Sequence, residues 1–218
     1  MPVDEIRFVL NREIIEPFIE ISCIEPEISL QLSNALYLTR FTELTITNKI
    51  ESQSENVKQE LLFMGYFGKI YESCLYILGA TDYIGSIVLM RALFELLIGI
   101  STEEKSSMSE RIKSIKFLSN HEQQDLKALW NNLNSWTHPY GKWLNNVCPK
   151  LYGTGRNHNR QLFIECLEFS NKILDFMLLV AVEVLLLSID SYKACLATYA
   201  FPDLPMFFKR FRAASIEL

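Results

Sequence analysis

The spacing of apolar residues predicts helices almost throughout the chain. Apolar positions recur three and four residues apart, and no run alternates Val, Ile or Thr with polar residues between turn signals. Only eight glycines and seven prolines are present, so turns are few and the elements are long. The predicted helices cover residues 4–21, 26–48, 54–78, 82–100, 110–118, 122–136 and 158–199. We therefore predict an all-α helical bundle.

The length of the chain, 218 residues, fits one large domain. We expect residues 1–218 to form a single helical domain whose core lies at about 54–199. The helices in 4–48 and the tail at 202–218 would be additions to that core. Pro202 and Pro205 end the last long helical stretch.

The most apolar run lies near the end of the chain, at residues 173–189. It lies on a predicted long C-terminal helix with four carboxylates, which at 100° per residue fall within an arc of about 80°. These carboxylates are Glu168, Asp175, Glu183 and Asp190. A carboxylate in mid-membrane costs about 2.5–3.5 kcal/mol. The narrow polar stripe indicates a helix enclosed by neighbouring helices or by a partner subunit, and we expect no membrane span.

Cysteine usage and the N-terminal sequence bear on the compartment. The five cysteines are scattered and contain no CxxC pair, which is typical of reduced thiols. The first residues lack the basic start and apolar run of a signal peptide. We expect a cytoplasmic protein.

The chain has no nucleotide-binding glycine motif and no metal-ligand spacing, so we also expect no cofactor and no metal.

A basic, aromatic-rich segment lies at residues 126–164. It contains five basic residues and no acidic one, while the whole chain has a net charge of −5, so the rest carries −10. Such a segment is where a phosphate backbone would bind most readily. Trp130 and Trp136 lie six residues apart, near opposite sides of a helix, so at least one should be a core residue. The candidate RNA- or anion-binding residues are Tyr140, Lys142, Trp143, Lys150, Arg156 and Arg160.

Two charges, Arg91 and Glu95, interrupt the apolar helix at 82–100. They are four residues apart and share a face, so we expect them to interact. One interpretation is an internal ion pair that fixes helix packing. The other is that Glu95 orients the Arg91 guanidinium towards a cavity, where its forked donors clamp a phosphate.

His138 lies at the predicted C-terminal end of a helix, just before Pro139. An imidazole is the usual group for proton transfer near neutral pH. The alternative is a histidine that interacts with the dipole at the helix end. Ser135, about one turn earlier, is a candidate to hydrogen-bond the ring or a substrate.

Two short motifs resemble those of HEPN-like helical proteins of bacteria and archaea. The first runs from Arg91 to Glu95 (RALFE), and the second is Leu133–Pro139 (LNSWTHP), followed by a long apolar helix. The resemblance covers about 61–192. It implies a bundle of four or five helices, often dimeric, and metal-independent ribonuclease chemistry in toxin–antitoxin or antiviral defence. By position, Arg91 would hold the scissile phosphate, Glu95 would steer Arg91, and His138 would act as acid or base on the 2′-hydroxyl.

Two functions from different classes follow. The first is an RNA-directed defence protein, which would bind RNA and, if an enzyme, cut it without metal. Active HEPN nucleases carry a compact R-x(4–6)-H, whereas Arg91 and His138 are 47 residues apart. Cutting and binding without cutting are therefore both open. The second function is a non-catalytic interaction subunit that docks a partner, such as an antitoxin, through residues 169–189 or through the basic loop. In either case we expect a homodimer.

Overall fold

A computed structural model describes residues 55–79, 82–103, 105–137 and 160–185 of the chain. These residues form five helices and no strand, so the all-α prediction is confirmed for the described part. The helices are α1 (Glu55–Gly79), α2 (Tyr83–Ser101), α3 (Met108–Ser114), α4 (Asn120–Thr137) and α5 (Arg160–Glu183). The predicted helices at 4–48 and the tail at 202–218 lie outside the described residues.

The start of α2 is fixed by a side-chain cap. Asp82 precedes the helix, and its Oδ1 accepts a hydrogen bond of 2.9 Å from the Gly85 backbone N–H. This bond satisfies one of the N–H groups that lack a partner at a helix N-terminus. A β-carbon on Gly85 would lie only 2.6 Å from Asp82 Oδ2, so a side chain at position 85 would require the carboxylate to shift. The cap confirms the predicted helix start at Asp82.

Glutamates that reach back to the preceding residues fix the starts of α3 and α4. The Ser107 backbone N–H donates to Glu110 Oε2 over 3.0 Å, and the Ser119 backbone N–H donates to Glu122 Oε2 over 2.7 Å. The Ser107 hydroxyl also donates to Glu110 over 2.7 Å. These hydrogen bonds from Ser107 lower the pKa of Glu110.

Helix α3 is displaced from its predicted range of 110–118. It begins at Met108 and ends at Ser114, because Ile115 adopts an extended conformation and the chain then turns. The extended backbone allows both Ile115 and Leu118 to be buried. Burial of two apolar side chains at this spacing therefore overrides the local helical pattern.

Helix α5 lies in the core. Every apolar residue from Phe169 to Ala181 is buried, as is Asp175. The helix is enclosed by its own chain, as one of the two sequence interpretations proposed, and residues 169–181 are not available to dock a partner. This burial counts against the part of the expected docking face at 169–181, whose apolar side chains fill the core, while residues 186–189 of that face lie outside the described residues. The helix ends at Glu183, and residues 186–199 of the predicted long helix lie outside the described residues.

Helix α2 presents two opposite faces. Its sealed face consists of Ser86, Met90, Leu93 and Leu97, all fully buried, and α2 packs against both α1 and α5. The opposite side, which we call the open face, contains three residues spaced four apart that fall within an arc of about 80°. These residues are Arg91, Glu95 and Gly99, and α4 packs beside them.

Among the described helices, α2 is long and apolar enough to cross a membrane by length and composition. This is not the run at 173–189 that stands out in the sequence. Core helices of the same length meet the same criterion, and eight residues of α2 are buried inside the bundle.

Candidate anion-binding site

The guanidinium of Arg91 is held from three directions on the open face of α2. Its Nε donates to Glu95 Oε1 over 3.1 Å, and its Nη1 donates to Thr137 Oγ1 at the end of α4 over 2.8 Å. Its Cζ lies 5.1 Å from the centre of the Trp130 ring, which is the range of a cation–π contact. The guanidinium therefore has a defined position between α2 and α4.

The indole beneath Arg91 is anchored in the core. Trp130 is partly buried and stacks on Phe94 with ring centroids 5.8 Å apart, and Phe94 in turn contacts Phe176 of α5 at 6.0 Å. Phe94 is fully buried. This row of rings gives the Arg91 guanidinium a rigid platform, since stacked aromatic rings have few ways to move in a packed interior.

The Arg91–Glu95 pair is not sealed. The side chain of Arg91 is 32% exposed and that of Glu95 is 45% exposed. An arginine carries five N–H donors, and two of them are used in the contacts with Glu95 and Thr137. The ion pair suggested by the spacing is thus present, but it leaves guanidinium donors on a surface that solvent or an anion can reach.

Thr137 completes the local network. Its hydroxyl lies 3.1 Å from the Leu133 carbonyl and 3.3 Å from the Asn134 carbonyl, both of which accept from it, while its oxygen accepts from Arg91. Threonine is well suited to this position because one hydroxyl both donates and accepts. The carbonyls at the end of α4 thereby orient the oxygen that receives the Arg91 hydrogen bond.

Ser135 lies apart from this network. It is exposed, and its hydroxyl donates to the Asn132 carbonyl over 2.8 Å. At 100° per residue, it points about 160° away from Thr137 around α4. The structure therefore brings Arg91 and Glu95 together but places Ser135 on a different side of the helix.

The remaining sequence candidates fall mostly beyond the described chain. Arg160 is exposed and is the first residue of α5. The candidates outside the described residues are His138, Tyr140, Lys142, Trp143, Lys150 and Arg156. Their roles stay predictions.

The sequence analysis missed two members of the site, Trp130 and Thr137. They lie seven residues apart on α4, which places them on one face of the helix. That face meets Arg91 because α4 packs against α2. The spacing of Trp130 and Thr137 shows that they share a face of α4. It identifies them as site residues only once the packing of that face against α2 is known.

The described part of the chain has no group of three or more His, Cys, Asp or Glu side chains placed to hold a metal ion. The two cysteines in this part, Cys74 and Cys166, are buried thiols. Burial raises the pKa of Cys74 to about 12, which keeps this thiol protonated. These cysteines are core residues and offer no nucleophile to the site.

Comparison of the chain with protein-family models, with curated proteins and with solved structures finds no match in any of the three. The resemblance to HEPN-like proteins therefore stands on the two sequence motifs. What the structure adds is a contact between those motifs, through Arg91 of the first and Thr137 of the second.

Proposed function

We propose that the protein is RNA-directed and that Arg91 binds a phosphate of the RNA backbone. The observation that carries this proposal is the partly exposed Arg91 side chain, whose guanidinium is fixed by Glu95, Trp130 and Thr137 and has donors left for a ligand. A fixed arginine fork matches the oxygens of a phosphate better than a mobile lysine does.

The proposed chemistry is metal-independent cleavage with His138 as the acid or base. A peptide bond joins His138 to Thr137, and consecutive Cα atoms are about 3.8 Å apart. Thr137 in turn contacts Arg91. As a base, His138 would take the proton of a 2′-hydroxyl while its oxygen attacks phosphorus and the bond to the 5′-oxygen breaks. Arg91 would stabilise the charge on the phosphate oxygens.

Binding is tested first, with purified protein, single-stranded RNA and EDTA. We expect Arg91→Gln to lower RNA affinity about tenfold or more, because a charge-assisted contact is lost. Arg91→Lys keeps the charge but not the fork and should recover only part of the affinity. Lys116→Gln, in the exposed turn after α3, is the matched control for loss of one positive charge. Equal affinity of Arg91→Gln and the wild type would refute the proposal.

Cleavage is tested separately. In EDTA, the wild type should cut the RNA, and His138→Ala should abolish cutting while RNA binding and the thermal unfolding midpoint stay close to wild type. Binding by both proteins with no cleavage by either would leave the Arg91 site as a binding site and remove the enzymatic part.

The biological setting we propose is a cytoplasmic toxin–antitoxin or antiviral system, with the motif resemblance as its support. Induced expression in bacteria should then slow growth, and Arg91→Gln should relieve the effect. If both proteins slow growth equally, this setting is wrong even when RNA binding holds.

A second candidate function is a non-catalytic interaction subunit. The observation that favours it is a group of exposed apolar side chains on α1, in which Leu62, Phe63 and Tyr66 are 51%, 50% and 63% exposed. Exposed apolar groups of this kind mark contact surfaces. We propose a second copy of the chain as the occupant, because one apolar stripe can pair with itself about a two-fold axis. Leu62→Lys with Tyr66→Lys should turn a dimer into a monomer in light scattering; an unchanged mass would exclude this face.

A further inference from the structure

A second basic pocket lies at the C-terminal end of α2. Its volume is about 650 Å³ and it is open to solvent. The residues that line it are Gly99, Thr102, Glu103, Lys105 and Arg111. Among these described lining residues, two side chains are cationic and one is anionic.

Arg111 is the distinctive residue of this pocket. It is partly buried, and its Nε is enclosed without a hydrogen-bond partner among the described residues. Its Nη2 lies 3.7 Å from the position that a β-carbon of Gly99 would take, so the guanidinium rests against the backbone of α2. Buried arginine donors normally have partners. The enclosed Nε does not reach the open pocket, so any contact with a ligand oxygen falls to the Nη groups of this pocket-lining residue.

The backbone that carries Arg111 is tied to the end of α2. The Ser114 hydroxyl donates to the Arg111 carbonyl over 2.8 Å, and it lies 2.7 Å from the Thr102 hydroxyl. This polar link crosses from the cap of α2 to the last turn of α3. The start of α3 is fixed by Glu110, so both ends of this short helix are held. Arg111 is therefore presented to the pocket from a fixed backbone.

The pocket and the Arg91 site both lie along the open face of α2. Gly99, against which Arg111 rests, follows Arg91 by eight residues on the open face of α2. At a rise of 1.5 Å per residue, this places the two sites about 12 Å apart along the helix axis. At about 3.4 Å per nucleotide of a stacked strand, 12 Å corresponds to about three or four nucleotide steps.

We propose that the Arg111 pocket binds a second phosphate of the same single-stranded RNA whose first phosphate lies at Arg91. This inference rests on the proposed function and names its ligand more closely: a strand long enough to reach both arginines along the open face of α2. One arginine in a pocket open to solvent holds a single phosphate weakly. Two linked phosphates bind more tightly, because the second binding step is intramolecular.

The experiment compares an RNA dinucleotide with an RNA octanucleotide by isothermal titration at fixed salt, since phosphate contacts are sensitive to salt. The wild type should bind the octanucleotide at least about tenfold more tightly. Arg111→Gln should remove most of that advantage and leave dinucleotide affinity unchanged. Lys105→Gln, an exposed residue of the same pocket, should reduce octanucleotide affinity by a smaller factor. Lys116→Gln is the control for general loss of charge.

The outcomes separate the two proposals. Arg91→Gln could lower the affinity for both ligands while neither RNA length nor Arg111→Gln has any effect. That result would overturn the second phosphate site and leave the first. No effect of Arg91→Gln on either ligand would overturn the proposed function itself. Binding of inorganic phosphate that is as tight as octanucleotide binding, and is lost in Arg111→Gln, would show a site for free anions and also overturn the inference. Thermal unfolding of each variant establishes that it is folded.

Discussion

The two faces of α2 hold polar groups in opposite environments. On the sealed face, the Ser86 hydroxyl donates to the Cys74 carbonyl over 3.1 Å, and both residues are fully buried. On the open face, Arg91 and Glu95 are partly exposed and their pairing leaves guanidinium donors unused. A polar group with all partners inside the core serves packing, whereas one with unused donors at the surface can serve a ligand.

The same contrast holds for ionisation. In the core beside the sealed face, burial raises the pKa of the Tyr71 hydroxyl as well as that of the Cys74 thiol, so neither group takes a charge at neutral pH. In α3, which borders the open face, hydrogen bonds from Ser107 lower the pKa of Glu110 and favour its charged form. Burial thus disfavours ionisation of these two core groups, whereas hydrogen bonding favours it at the start of α3.

The largest effect is expected from replacing Phe94, whose ring contacts both Trp130 of the site and Phe176 of the core. We expect Phe94→Ala to lower the free energy of unfolding by about 3–5 kcal/mol, because it leaves a cavity in a closely packed interior. Urea unfolding followed by circular dichroism measures the change. A loss below about 1 kcal/mol would mean that the site is not coupled to the core through this ring.

A second test concerns only the core beside the sealed face of α2. Tyr71 is fully buried and its hydroxyl donates to the Ser170 carbonyl over 3.1 Å. Tyr71→Phe should cost about 0.5–1.5 kcal/mol of stability and leave RNA affinity unchanged. Tyr66→Phe is the matched control, because Tyr66 is exposed on the same helix, and it should change neither quantity. Reduced RNA affinity in Tyr71→Phe would show that the two faces are not separate.

The smallest expected effect is the pH dependence contributed by Glu110. Its folded-state pKa is lowered, so its stabilisation is present above the ordinary value of 4.5 and is lost as the pH falls through the folded-state pKa. Glu110→Gln should therefore show a slightly lower thermal midpoint than the wild type at pH 7. The difference should shrink on acidification below pH 4.5. A difference that grows in acid would show that the carboxylate is not stabilised by the contacts with Ser107.

The sequence was informative where a local rule decides the structure. Asp82, at the start of the predicted helix 82–100, accepts the Gly85 N–H, and the i, i+4 spacing of Arg91 and Glu95 predicted their contact. Both depend on residues a few positions apart. The same is true of the all-α class, which follows from helical spacing repeated along the chain.

What the sequence could not supply depends on distant packing. Thr137 lies 46 residues from Arg91, and no local pattern shows that the two meet. Helix α3 was displaced because Ile115 is drawn into the core in an extended conformation. The sequence also could not decide whether residues 169–189 dock a partner, because an apolar helix has the same pattern whether its own chain or a partner covers it.

The cap of α2 has one more consequence, for how this chain can vary. The Asp82 carboxylate occupies the space that any β-carbon at Gly85 would need, so the two positions are interdependent. A larger residue at 85 displaces the carboxylate, and a smaller one at 82 gives up the hydrogen bond but makes room. A side chain at position 85 should therefore weaken this cap without excluding the helix, because the Asp82 carboxylate can turn aside.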